Sequence, residues 1–512
     1  MDISQMTDLA LKPNLHLVSG HLLARNVIWN LLGTAAPLAV AIPAVPILIH
    51  TMGADRFGVL TLCWVLIGYF SLFDLGLGRA LTRLLAEKLG TGEHRDIPSL
   101  IWTALLAMSI LGCVGAAVFA GCASWMVRGL LRVPAQIQSE TLHAFFVLSA
   151  ALPIVITSTA LRGSLEAYQR FREVSGLRAL LGISTFASPL LVMPFSHSLL
   201  SAAAALATGR VLVWIVNLVL CLIYIPGLNR QCRVRFDVLV ALARYGSWMT
   251  ISNIVSPMLT YLDRFAIGAM MSVAAVAYYA TPFEFVTKVV VIPGAMIAVL
   301  FPAFSTSFVQ DRNSTTRLFE SGTKFVFLAL FPCVLVIVAL AHQGLNIWLG
   351  AEFAKTSTVV VQWLAAGVFM NGLAQVPFAQ VQAVGRPDLA AKLNLAEMPL
   401  YGVLLWFLLG HFGIAGAAIA WTIRVSIDCI LLFLIAGKLL PHSAPGIRRL
   451  LLSCTAAMFT LLLSALLGPL SVKLIFVLIV GGAFLLATWR VVLTPQEKSL
   501  VWGRGRSSLA AS

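Results

Sequence analysis

Charge is scarce in this chain. Asp, Glu, Lys and Arg together fill 11% of its 512 positions, less than half the roughly 25% of a soluble domain. That shortage excludes a soluble globular enzyme and a disordered chain, both of which need a hydrated, charged surface. Acidic residues are scarcer still, 20 against 35 Lys and Arg. Cysteine is sparse too. None of the eight stands in C-x-x-C spacing and most lie inside apolar blocks, which excludes a disulfide scaffold and reads as small packing side chains. There is no G-x-x-x-x-G-K-[ST] loop and no H-E-x-x-H, and Gly76-Leu-Gly78 lacks the third glycine of a dinucleotide loop. No nucleotide engine, metal or cofactor is expected. Any transport is then secondary, driven by an ion or by consumption of the substrate.

What the chain has in excess is apolar sequence, 60% of all residues, with a mean hydropathy of +0.94. A membrane span needs about 20 apolar residues in helical form, because lipid cannot satisfy a bare backbone. Fourteen stretches meet that need: 27–49, 57–79, 98–121, 141–161, 176–195, 199–225, 246–270, 276–304, 323–345, 358–381, 393–410, 413–437, 450–467 and 472–490. The expected class is an all-α integral membrane protein. The first twenty residues are mixed and polar with no signal-peptide core before Ala24, so the first apolar block reads as a true span. The longest outer loop, 122–140, carries only Arg128, Arg132 and Glu140. A membrane-bound sugar polymerase, ligase or glycosyltransferase needs a larger catalytic loop than that, so the chain is not expected to be an enzyme.

The net charge of +15 is spread in short runs between apolar blocks. A nucleic-acid binder gathers its basic residues on one soluble face, so no nucleic-acid partner is expected. In a membrane protein the same distribution sets orientation. With the N-terminus inside, the cytoplasmic segments hold 26 Lys and Arg and the outer loops hold 5. Both termini are therefore expected in the cytoplasm.

A weak internal repeat follows. Arg25 and Trp29 recur as Arg244 and Trp248, and Met52 as Met271, at an offset of 219. Ala167 and Arg170 recur as Ala383 and Arg386 at 216, and Thr208-Gly-Arg210-Val as Thr422-Ile-Arg424-Val at 214. Six spans per unit is an even number, so the halves share one orientation, the parallel-repeat plan of many transporters. The expected organisation is a cytoplasmic N-terminus 1–26, an N-lobe 27–225, a cytoplasmic linker 226–245, a C-lobe 246–437, two appended helices within 450–490, and a cytoplasmic tail 491–512. The two six-helix lobes are expected to enclose a central cavity.

Several short stretches resemble one family. They are Phe57-Gly58 with Asp74-Leu-Gly-Leu-Gly78, Leu161-Arg-Gly163 with Gln169-Arg-Phe171, Asp263-Arg264 with Gly268, Ala277-Tyr-Tyr279, Phe301-Pro302, Trp348-Leu-Gly-Ala-Glu-Phe353 and Gly385-Arg-Pro-Asp388. In order and spacing, over about 22–437, the chain is similar to the Wzx-type polysaccharide flippases of the multidrug/oligosaccharidyl-lipid/polysaccharide exporter superfamily. The resemblance implies movement of an undecaprenyl-diphosphate-linked oligosaccharide across the bacterial inner membrane by alternating access. It implies membrane lipids as surroundings, and a polysaccharide polymerase with chain-length machinery as candidate partners. The alternative is a cation-coupled drug or small-molecule exporter of the same superfamily. Such a cavity would rely on acidic and aromatic groups, whereas four basic residues inside spans favour an anionic substrate.

The ionisable residues inside spans are Asp74, Arg210, Asp263, Arg264, Glu284, Lys288, Glu397, Arg424 and Asp428. Each costs roughly 2.5–3.5 kcal/mol at a helix centre, so they must face one another or a wet cavity. Arg210 and Arg424 occupy equivalent repeat positions and are candidate forks for the diphosphate; Arg424 has an alternative partner in Asp428, one turn on. Arg264 and Lys288 are further candidates for substrate contact. Asp263 and Glu284 fit either a structural network with those two cations or a cavity wall. Asp74 fits a kink cap, a pair with Arg79, or a proton or sodium site, so Asp74, Asp263, Glu284 and Asp428 form the candidate coupling or charge set. The run Arg162, Arg170, Arg172 and Arg178 suits anionic lipid or an arriving headgroup. Polar stripes at Asn26, Asn30 and Thr34, and at Asn253, Ser256 and Thr260, suit sugar hydroxyls or interhelical bonds.

Overall fold

The computed structural model describes residues 20–70, 74, 76–229, 234–235, 258–310, 312–440, 444–495 and 498. The N-terminal segment up to 19, most of the expected linker and the end of the tail lie outside the described residues. So do Trp248, Asn253, Ser256 and the side chains of Asn26, Asn30 and Thr34.

Among the described residues every regular element is helical. In chain order they are α1 (Gly20–Phe70), α2 (Leu77–Thr91), α3 (Ile97–Trp125), α4 (Ala135–Ala167), α5 (Phe171–Val192), α6 (Leu199–Tyr224), α7 (258–270), α8 (Val273–Val286), α9 (Val291–Gln310), α10 (Arg312–Ala339), α11 (Ala341–Leu349), α12 (Ala351–Ala383), α13 (Pro387–Leu439), α14 (Ala444–Leu466) and α15 (Leu470–Ala487). Ten helices among these residues are long and apolar enough to cross a membrane. Two of the ten are compound. Gly53 (φ 78°, ψ 163°) breaks α1 and Gly413 (φ 59°, ψ −145°) breaks α13, left-handed or mirror-region conformations that suit glycine. The chain is thus an all-α, multi-pass membrane protein. Span 2 is shorter than hydropathy predicts. Its helix is described as far as Phe70, Asp74 is a bend, and Leu77 starts the separate α2, for a reason given below.

The chain divides into two compact units, Met1–Ala277 and Tyr278–Ser512. In the first, α4 is the hub and packs on α3, α6 and α2, while α1 packs on α5. In the second, α12 is the hub and packs on α13, α10, α11 and α9. These two hubs are both 33 residues long and are the most buried spans of their units. At the other extreme, only 6% of the window in α15 is buried, so its Leu- and Ile-rich surface is available to lipid.

Close helix approach needs residues without side chains. A Cβ at Gly58 would lie 1.8 Å from the Val273 carbonyl oxygen, and one at Gly112 would lie 2.5 Å from the Pro153 Cα. Backbone cannot swing aside as a flexible side chain can. Gly58→Ala is therefore expected to force α1 away from the start of α8 and to cost about 1–3 kcal/mol, the usual penalty of overpacking. Thermal unfolding of the purified protein in detergent checks this; an unchanged midpoint would contradict it.

Part of the linker is strapped to the first unit. Trp102 donates through Nε1 to the Leu228 carbonyl at 2.9 Å, and the Arg235 backbone N–H donates to Thr103 Oγ1 at 3.1 Å. Asp96 receives both Arg235 (3.0 Å) and Lys88 (3.3 Å), and Lys88 also reaches Glu93 at 2.6 Å. The hydrogen bond to Glu93 raises the Lys88 pKa above the ordinary lysine range. Stability from a raised lysine is fully present below its unfolded pKa and fades only as pH rises through the folded value, so this strap is indifferent to physiological pH.

Candidate functional site

Asp74 is held by its own helix start. Its Oδ1 accepts the Gly76 N–H at 3.0 Å, and its Oδ2 accepts the Gly78 N–H at 3.0 Å and the Thr159 hydroxyl at 3.4 Å. The first N–H groups of a helix have no internal partners, and Asp74 supplies them. This carboxylate ends span 2 and begins α2. The geometry also accounts for the glycines of Asp74-Leu-Gly-Leu-Gly78. Gly76 has φ 76°, and a Cβ at Gly78 would lie 2.5 Å from Asp74 Oδ2. A Cβ at Gly163 would lie 2.3 Å from Thr82 Oγ1, so the motif Leu161-Arg-Gly163 packs against the same turn. Asp74→Ala is expected to cost about 0.5–2 kcal/mol, as loss of a cap does, with Asp74→Asn milder. Unfolding midpoints of the two variants should fall in that order.

In the first unit, Arg210 is the twelfth of 26 residues in α6, near mid-helix. Gly209 beside it brings α6 close to α5, where its Cβ would stand 3.4 Å from Ser184. Arg210 Nη2 donates to Thr185 Oγ1 at 3.0 Å, and that hydroxyl in turn donates to the Leu181 carbonyl at 2.9 Å. Among the described residues no carboxylate forms an ion pair with Arg210.

Arg424 has a different setting in the second unit. The break at Gly413 folds the two arms of α13 together so closely that a Cβ at Gly416 would lie 1.9 Å from the Leu408 carbonyl oxygen. Arg424 Nη1 lies 3.5 Å from Glu397 Oε2, with the side chains 13% and 4% exposed. Asp428 stands beside both, and the guanidinium lies 5.4 Å from the Tyr401 ring centroid. Glu397, Leu400, Tyr401, Leu404, Arg424 and Ile427 line a small pocket. The Arg424–Glu397 pair was not legible as a pair, because 27 residues separate its members. The only sequence signal was that Glu397 is itself an ionisable residue inside a span.

The remaining candidates divide between the units. Asp263 and Arg264 are fully buried in α7; Asp263 Oδ1 accepts the Arg264 backbone N–H at 2.8 Å, and the Arg264 guanidinium lies 5.1 Å from the Tyr261 ring. Glu284 and Lys288 pair along their own chain segment at 3.5 Å, both about half exposed. Of the basic run, Arg162 lies 3.9 Å from Glu166, and Arg170 lies over the Tyr224 ring at 4.2 Å. No group of three or more His, Cys, Asp or Glu among the described residues is arranged to hold a metal.

An all-helical membrane protein with glycine-broken spans and charges buried at mid-helix has the build of a transporter. Residues 48–358 match the family described as "Polysaccharide biosynthesis protein". The chain is 30% identical over 412 residues to the "Putative O-antigen transporter" of Shigella flexneri, covering 80% of this chain and 96% of that one. Two solved structures share the fold, each with a TM-score of 0.70. Lipid II flippase MurJ, inward closed, is 12% identical and matches 91% of this chain and 100% of its own. An inward-facing multidrug resistance MATE transporter of the MOP superfamily is 13% identical and matches 81% and 99%. The chain belongs to this family of polysaccharide biosynthesis proteins. It is a multi-pass membrane transporter rather than an enzyme.

Proposed function

We propose that this protein flips an undecaprenyl-diphosphate-linked oligosaccharide from the inner to the outer leaflet of a bacterial inner membrane by alternating access. Fourteen spans in two six-span lobes plus two, with both termini cytoplasmic, complete the reading. Support for the substrate class comes from the family and from the name of the Shigella flexneri relative, which concerns O-antigen. The equal lengths of α4 and α12 support the repeat.

One observation carries the reading furthest. Arg210 sits near the middle of α6 with a hydroxyl and, among the described residues, no carboxylate as partner. A cation at that depth calls for an anion, and a diphosphate matches a guanidinium fork. Arg424 already faces two carboxylates, so the diphosphate role falls chiefly on Arg210. Arg264 and Lys288 stand as secondary substrate contacts, and Asp263 and Glu284 as the charge network beside them in sequence.

Depletion of the protein in its host tests the function. The lipid-linked oligosaccharide should accumulate on the cytoplasmic leaflet and surface glycan should fall, with both restored by the wild-type gene. Accumulation on the outer leaflet, or surface glycan unchanged, would refute the reading.

A further inference from the structure

The hairpin of α13 brings two carboxylates level with each other, with Arg424 one turn nearer the break and a pocket between the arms. Glu397 lies 16 residues before the break at Gly413, and Asp428 lies 15 residues after it. Arms that fold back at the break bring residues equidistant from it together. At 1.5 Å per residue both stand about 23 Å along their arms, inside a hydrocarbon core of about 30 Å if the break lies at its edge.

The charges do not cancel. Fully ionised, Glu397, Asp428 and Arg424 sum to one negative charge. Glu397 is 3% exposed and lines the pocket; its carboxyl lies 3.5 Å from Arg424 and beside that of Asp428, but no well-aligned hydrogen bond satisfies either oxygen. The Arg424 Nε is also buried without one. A buried carboxylate with open lone pairs and an excess negative charge is unfavourable in a membrane interior. One further positive charge removes both defects.

Among the described residues, no cation other than Arg424 stands beside Glu397 or Asp428. Helix α12, which packs most extensively on α13, carries no Asp, Glu, Lys, Arg, His, Cys or Tyr from Thr356 to Ala383. From the described residues of α14 the titratable neighbour is Cys454, beside Cys429. On α13 itself the facing groups are Arg424, Asp428 and Tyr401. A hard metal cation asks for about six oxygens. The pocket offers the Glu397 carboxylate and the Tyr401 hydroxyl among Leu400, Leu404 and Ile427, with Asp428 beside Glu397, and Arg424 already stands where a cation would sit.

We propose that the α13 hairpin is a single-proton site in which Glu397 and Asp428 share one proton and Arg424 is a built-in counter-ion. Loaded, the cluster is neutral and can be sealed from water; unloaded, it carries one negative charge and favours a conformation that opens it to water. The proton comes from water on one side of the membrane, binds a carboxylate oxygen, and returns to water on the other, so no other reactant is needed. That the site couples to glycan movement rests on the flippase reading; that it binds a proton does not.

The test is infrared difference spectroscopy of the full chain in lipid nanodiscs, without substrate, on a jump to alkaline pH. The wild type should lose a protonated-carboxyl band. Glu397→Gln and Asp428→Asn should each lack that band, because either leaves one carboxylate to balance Arg424. Glu397→Asp should keep it, which separates proton binding from misfolding. Exchanging sodium for choline at constant pH should change nothing. Persistence of the band in both neutral variants, its absence in the wild type, or its removal by sodium would overturn the proposal. If the band behaves as expected while depletion leaves surface glycan intact, the flippase reading fails and the proton site stands.

Discussion

Arg210→Gln should reduce glycan translocation by roughly ten- to a hundredfold while leaving the protein inserted and at least as stable as wild type. The arginine makes one hydrogen bond, to Thr185, and no ion pair among the described residues. Its charge is therefore a cost to the folded protein in the absence of an anion, of order 2.5–3.5 kcal/mol on insertion scales. Removing it relieves that cost. What is lost is a charge-assisted contact to substrate, worth about 1.5–3 kcal/mol. Arg210→Lys keeps the point charge and loses the planar fork, so it should fall between the two. Opposite directions for stability and transport would mark a substrate ligand. Normal transport by Arg210→Gln at normal expression would remove Arg210 from the mechanism.

Arg424→Gln should do the reverse and destabilise the protein severely. Arg424 faces Glu397 across the α13 hairpin and Asp428 on its own arm. Deleting one member of a buried charge cluster leaves the others uncompensated, at a cost of about 3–5 kcal/mol, a large part of the 5–15 kcal/mol that holds a typical domain. Adding Glu397→Gln should recover part of that loss, because one fewer buried carboxylate then lacks a counter-charge. Unfolding of the single and double variants measures the coupling directly. A stable Arg424→Gln, or a double variant no better than the single, would show that the cluster does not depend on its arginine.

The two arginines illustrate how far a repeat can be trusted. Thr208-Gly-Arg210-Val and Thr422-Ile-Arg424-Val look alike in sequence, yet one arginine has a hydroxyl partner and the other a carboxylate. Local similarity fixes a residue's position on its helix. Partners come from facing helices, and those have diverged: α5 presents Thr185 where the first arm of α13 presents Glu397. Asp74 makes the same point. In a hydropathy profile it is an acid near the end of a span; in space both its oxygens are taken by Gly76, Gly78 and Thr159.

The membrane class and the all-helical architecture were determined by the sequence alone, because hydropathy and charge are sums over neighbouring residues and need no fold to evaluate. So was the set of charges that apolar runs must accommodate, although Glu284 and Lys288 of that set are about half exposed. Which charges meet was decided only by the tertiary structure. Glu397 reaches Arg424 because Gly413 turns one 53-residue element back on itself. The angle of such a turn, and therefore the residues it brings level, depends on packing that no local window contains.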